Sequence, residues 1–196
     1  MALTALVMWW SCNAFIGTVA TGLANAEAGR LGLDRLATQG LVQDWIKFAT
    51  NAFNIGGLIG TLMTIPIAKT FGRRPMYIAY FLLSAASIML TFGLDLAPHD
   101  RLYGYFFIGL SVFGVFGSFT YYLPELFPTR LRATGAGFCY NIGRVIAAGG
   151  PFAVGAIAAQ GTDTVVGVLF YVGFIPLLGL LFMPWVIETR GRLLAD

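Results

Sequence analysis

The sequence predicts an all-α integral membrane protein of six spanning helices, on three observations: its composition, the length of its apolar runs and the placement of its basic residues. Of the 196 residues, 58% are hydrophobic and only 11% charged, against about 25% charged in an ordinary soluble domain. A mean hydropathy of +0.78 excludes a disordered chain, and the 17 Phe and 25 Gly suit helices packed in lipid. The net charge of +3 does not indicate nucleic acid as a partner. The basic residues border apolar runs and form no stripe, the placement that orients helices in a bilayer.

A spanning helix needs about 20 mostly apolar residues. Runs of that length lie at about 2–25, 45–68, 75–94, 102–122, 133–159 and 165–187, which makes 1–196 a single six-helix domain. Connections are short except 27–44, so successive helices are expected to be antiparallel neighbours. With the N-terminus inside, Lys69, Arg73, Arg74, Arg130, Arg132, Arg190 and Arg192 fall on the inner side, against Arg30, Arg35 and Arg101 outside. Counting Lys47 as outer leaves the inner majority intact. Both termini are therefore expected to be cytoplasmic, in a multi-pass protein of an inner (plasma) membrane. Ala24, Asn25 and Ala26 resemble a signal-cleavage pattern, but no Lys or Arg precedes the first run and that run is too long for a signal peptide.

Polar side chains inside apolar runs are costly and point to function. Arg144 lies about eleven residues into the fifth run, with Asn141 three residues before it on the same helical face. A guanidinium beside an amide can hold a carboxylate, a phosphate or a sugar hydroxyl; pairing with a neighbouring span or reaching the interface would serve it equally. Asp44, Lys47, Asn51 and Asn54 form a polar stripe on the second run. Asp44 and Lys47 are expected as an interfacial ion pair, whereas Asn51 and Asn54 lie deep enough to contact a substrate or to join helices. Gly56 and Gly60 have the spacing of a close helix crossing. Pro66, Pro151, Pro176 and Pro184 are expected to kink their spans. Trp9 and Trp10 lie well inside the first run, where they could anchor an interface or stack against a ring. The single His99 and the cysteines Cys12 and Cys139 offer no metal set, and no GxxxxGK[ST] segment occurs. The pattern implies no enzyme, no cofactor and no ATP-driven engine.

Three motifs then carry a resemblance. The segment Pro124, Glu125, Leu126, Phe127, Pro128, Thr129, Arg130, Leu131, Arg132, Ala133, Thr134, Gly135 resembles the loop between the tenth and eleventh helices of major facilitator superfamily transporters. Glu188, Thr189, Arg190, Gly191, Arg192 resembles the end of their twelfth helix, and Phe71, Gly72, Arg73, Arg74, Pro75 the loop between the eighth and ninth. Lys69 and Ile65 depart from the fuller pattern of that last loop, which usually has an Asp and a Gly there. Motif order matches the C-terminal six-helix half of the sugar, organic-acid and metabolite proton symporter branches.

The resemblance implies secondary transport of a small polar metabolite, an organic anion or a sugar, coupled to protons, with an N-terminal six-helix half as partner. Asn51, Asn54, Asn141 and Arg144 would then contact substrate. Arg73, Arg74, Glu125, Arg130, Arg132, Glu188 and Arg192 would gate one end, Glu125 pairing with Arg73, Arg74 or Arg132 and Glu188 with Arg130 or Arg192. The alternative is a truncated remnant, or a membrane subunit that packs with a partner and moves nothing. A pore built from several copies is a further rival.

Overall fold

The computed structural model describes residues 2–147, 149, 156–157, 159 and 161–191. Among them, five helical segments are long and apolar enough to cross a membrane: Ala2–Leu31, Arg35–Phe71, Arg73–Gly93, Pro98–Glu125 and Thr162–Trp185. The first comprises α1 (Ala2–Ala14) and α2 (Ile16–Leu31), interrupted at Phe15; the next three are α3, α4 and α5. Within the expected fifth span, α6 covers Arg132–Ala147, and Gly150, Pro151 and Gly155 lie outside the described residues. The last span is α7 (Thr162–Val172), α8 (Ile175–Leu181) and a 3-10 turn at Met183–Trp185. Pro176 stands in the first turn of α8, where its missing N–H is harmless, and Pro184 in the 3-10 turn.

The expected loop at 27–44 is helical instead, apart from residues 32–34. Gly32 ends α2 in the left-handed conformation (φ 67°), and the Asp34 side chain accepts a 2.7 Å hydrogen bond from the Ala37 amide to start α3. Hydropathy marks the apolar part of a helix, and these capping groups set its ends. At 37 residues, α3 is about 55 Å long, well beyond the ~30 Å hydrocarbon core.

The core gathers around α5, on which Tyr105, Ile108, Val112 and Val115 are fully buried. Its crossing with α3 is close because glycines face backbone. A Cβ on Gly56 or Gly60 would run into the carbonyls of Phe106 or Leu110, and one on Gly109 into that of Phe53. The spacing noted at Gly56 and Gly60 is thus a packing device. Buried hydroxyls join α4 to α5 and to α3: Ser118 donates to the Tyr77 hydroxyl (2.7 Å), Ser87 and Ser111 share a hydrogen bond (3.3 Å), and Tyr80 donates to the Gly60 carbonyl (2.9 Å). At the end opposite the motif arginines, His99 lies among the rings of Trp45, Phe48 and Tyr103.

Candidate functional site

Two constellations collect some of the polar residues singled out in the sequence. The first is at the arginine-rich end, where α3 turns into α4 through one residue, Gly72. Its φ of 100° is open only to glycine, and a Cβ there would lie 2.7 Å from Glu188 Oε2. So tight a turn leaves the first amides of α4 without helical acceptors. Glu188, arriving after the last span, supplies them: its carboxylate accepts from the amides of Arg73 (2.9 Å), Arg74 (3.0 Å) and Arg190 (3.0 Å). Its negative charge also complements the helix dipole.

Glu125, at the end of α5, pairs with Arg73 through two hydrogen bonds, Nη2 to Oε1 at 2.6 Å and Nε to Oε2 at 3.2 Å. Arg73 and Glu125 side chains are 13% and 17% exposed, so this pair is better shielded than an ordinary surface bridge. Thr189 donates its hydroxyl to the same carboxylate. Arg73 also donates to the Ala68 carbonyl (3.1 Å) and lies 5.5 Å from the centre of the Tyr121 ring. One guanidinium and two carboxylates thereby tie together the ends of α3, α4, α5 and the last span.

The structure selects Arg73 among the three arginines expected as partners of Glu125 and departs from the Arg130 pairing expected for Glu188. Arg74 does not pair with Glu125; its guanidinium donates to the carbonyls of Val186 and Pro184, because the neighbouring span end presents bare carbonyls there. Glu188 does not pair with the Arg130 side chain, since unsatisfied backbone amides lie nearer its carboxylate. Arg130 is exposed before α6, Arg132 opens α6, and Arg192 lies outside the described residues. Burial works to raise the Glu188 carboxyl, but the three amides prevail and hold it below the ordinary glutamate range. A lowered pKa means stability present at neutral pH and lost as pH falls from about 4.3 through the depressed value. The difference in thermal midpoint between the wild type and Glu188→Gln is therefore expected to shrink on acidification through that window; a constant difference would contradict the assignment.

The second constellation is a cavity of about 260 Å³ between three spans. Leu6, Trp9 and Trp10 come from α1, Phe113 and Phe116 from α5, and Tyr140 and Arg144 from α6. The Arg144 guanidinium lies 5.8 Å from the centre of the Tyr140 ring, one helical turn back. Trp9 meets Trp10, Phe113 and Phe116 at centroid distances of 5.0, 6.0 and 5.9 Å. The cavity thus combines a rigid aromatic wall with one permanent positive charge. Both tryptophans line it.

The asparagines are not brought together with Arg144 in this cavity. Asn141 donates to the Gly137 carbonyl of its own helix (2.8 Å), and Asn51 and Asn54 are exposed along α3. Asp44 and Lys47 form the expected exposed ion pair, at 3.5 Å.

Comparison with known proteins fits these features. The sequence profile of the family described as "Sugar (and other) transporter" matches residues 1–195. The chain belongs to this family of major facilitators. This family member is 37% identical over 98 residues to a probable 4-methylmuconolactone transporter of Cupriavidus pinatubonensis, covering 48% of the chain and 22% of that relative. It is 33% identical over 98 residues to the inner membrane metabolite transport protein YhjE of Escherichia coli (46% and 22%). Over 108 residues it is 34% identical to human organic anion transporter 3 (53% and 19%). Each aligned stretch spans about a fifth of the relative's length. Family and relatives are transporters and not enzymes.

Several residues of both sites were not foreseen in the sequence. Thr189 was visible only as a letter of its motif. Thr64, which shares hydrogen bonds with Tyr121 (3.2 Å) and Met76 Sδ (2.9 Å) beneath Arg73, carried no signal. Phe113 and Phe116 read as ordinary membrane phenylalanines, because only packing brings them to Trp9.

Proposed function

We propose that this chain forms the C-terminal half of a proton-coupled symporter for a small organic anion, completed by an N-terminal six-helix half. The observation that carries this reading is Arg144, the one charged residue lining a cavity otherwise built of apolar and aromatic side chains. An arginine in such a setting is costly unless an anion or a wet cavity meets it. The organic anion transporter among the relatives supports the same substrate class. Asn51, Asn54 and Asn141 would line the same pathway once the second half closes over it. Arg73, Arg74, Glu125, Arg130, Arg132, Glu188 and Arg192 would hold the cytoplasmic end shut until the halves rock apart.

In the complete transporter, with both halves present, replacing Arg144 with Gln is expected to reduce saturable anion uptake to background without lowering the amount of protein in the membrane. Unchanged uptake would remove Arg144 from the substrate site. Uptake that collapses when a protonophore dissipates the gradient supports symport, whereas passive flux that never saturates favours a pore. No uptake of any anion, with this chain and an N-terminal half both present, favours the non-transporting subunit.

A further inference from the structure

The arginine-rich end holds a separate cavity of about 170 Å³, lined by Ile65, Ala68 and Lys69 of α3, Arg73 of α4, and Tyr121 and Glu125 of α5. Both residues by which this loop departs from the usual pattern, Ile65 and Lys69, line it. Its charges do not balance. Glu125 already accepts two hydrogen bonds from Arg73 and one from Thr189, and Glu188 is committed to three amides. Lys69 is exposed at the rim and has no hydrogen-bond or ion-pair partner among the described residues. A lysine in place of the usual Asp therefore leaves this cavity with one uncompensated positive charge.

The donors are available as well. Arg73 spends Nε and one Nη2 hydrogen on Glu125 and one Nη1 hydrogen on the Ala68 carbonyl, so two guanidinium N–H groups remain beside the ammonium of Lys69. Tyr121 is engaged through its hydroxyl with Thr64 and Met76. A ligand that suits this set accepts hydrogen bonds and carries negative charge, as a carboxylate does. Position adds a second argument. Asn51, Asn54, Leu58, Ile65 and Lys69 are all exposed, and their spacing puts them on one face of α3. Asn51 and Lys69 are about five turns apart, ~27 Å, on that line. Resting on the anion-transport reading above, we propose that this cavity is a second carboxylate site, where Lys69 and Arg73 hold the anion at the arginine-rich end of the α3 face. At about 170 Å³ it is well below the ~300–1,000 Å³ that encloses a drug-sized ligand, so it receives the carboxylate group and leaves the remainder outside.

The test uses the complete transporter, both halves present, in phosphatidylcholine nanodiscs that leave both faces open, with Arg144→Gln in place to remove the other cationic cavity. The chain has two lysines, Lys47 and Lys69. Acylation of each by an amine-reactive ester, read from peptide masses, gives the probe and its control in one sample. Acetate, exchanged for chloride at constant ionic strength, is expected to slow acylation of Lys69 about fivefold at about four times its dissociation constant. Lys47, paired with Asp44, should not change. Acetamide, of the same shape without the charge, should protect neither. Acetate should also raise the thermal midpoint; Lys69→Gln should lose that rise and Lys69→Arg should keep it, a pattern that a merely structural lysine would not produce. Equal protection by acetate and acetamide, or none by either, overturns the proposal. So does a Lys69 shielded before acetate is added, whether by a carboxylate of the N-terminal half, trapped with a zero-length carbodiimide, or by phosphatidylglycerol, seen when that lipid replaces phosphatidylcholine. If Lys69 fails these tests while Arg144→Gln still abolishes uptake, the second site falls and the anion reading stands. If uptake ignores Arg144→Gln, the anion reading falls and takes with it the place of this site on a transport path.

Discussion

Replacing Glu125 with Ala is expected to loosen the arginine-rich end by about 3–5 kcal/mol, the usual cost of removing one partner from a well-shielded ion pair. Two groups lose their acceptor at once. The Arg73 guanidinium would keep only the Ala68 carbonyl and the Tyr121 ring as partners, and the Thr189 hydroxyl, on a residue 8% exposed, would lose its carboxylate. The loss should not stay local, because Arg73 belongs to α4, Glu125 to α5 and Thr189 to the chain after the last span. Arg73→Ala should destabilise in the same direction, and the double variant by clearly less than the two single losses added. Unfolding of the detergent-solubilised protein, followed for wild type, both singles and the double, measures the coupling. Strict additivity would mean that the 2.6 Å pair contributes nothing as a pair.

Gly60→Val is expected to have an equally large effect by a different route. The added side chain would meet the Leu110 carbonyl of α5, and backbone on a buried helix cannot move aside as the tip of a flexible side chain can. The α3–α5 crossing would have to open, removing contact along two of the longest helices in the fold. Loss of folded protein, or a fall in thermal midpoint of many degrees, is the expected readout. Gly17→Ala is the control: a Cβ there meets nothing within 4 Å, and replacing a helical glycine should leave stability unchanged or raise it by up to about 1 kcal/mol. Equal damage at both positions would show that general helix disturbance, and not close approach, sets the cost.

The contrast between these two glycines marks what could be read from residues alone. Gly56 and Gly60 advertise a close crossing by their spacing, but nothing in the chain says that their partner is the backbone at Phe106 and Leu110. In the same way, Arg73, Glu125 and Glu188 were legible as a cluster of motif charges at one end. That Glu188 would serve backbone amides follows from the one-residue turn at Gly72, a feature of φ and not of residue type. The length of α3 escapes hydropathy for a related reason: hydropathy responds to lipid, whereas Gly32 and Asp34 end and start helices through local hydrogen bonds.

By itself the sequence determined the helical membrane architecture, because backbone groups in lipid must be satisfied within the segment and about 20 apolar residues mark each place where that happens. It also determined that Arg144 needs a reason to be there, since charge in that setting is expensive wherever the helix packs. Only the tertiary structure decided what surrounds that charge. Trp9, Phe113, Phe116 and Tyr140 come from three spans separated by as many as 131 positions in number, and their meeting depends on crossing geometry, which apolar periodicity does not specify. The three asparagines shared Arg144's chemical promise in the sequence, yet packing left them outside its cavity, because a helix face acquires a role only from the helices set against it.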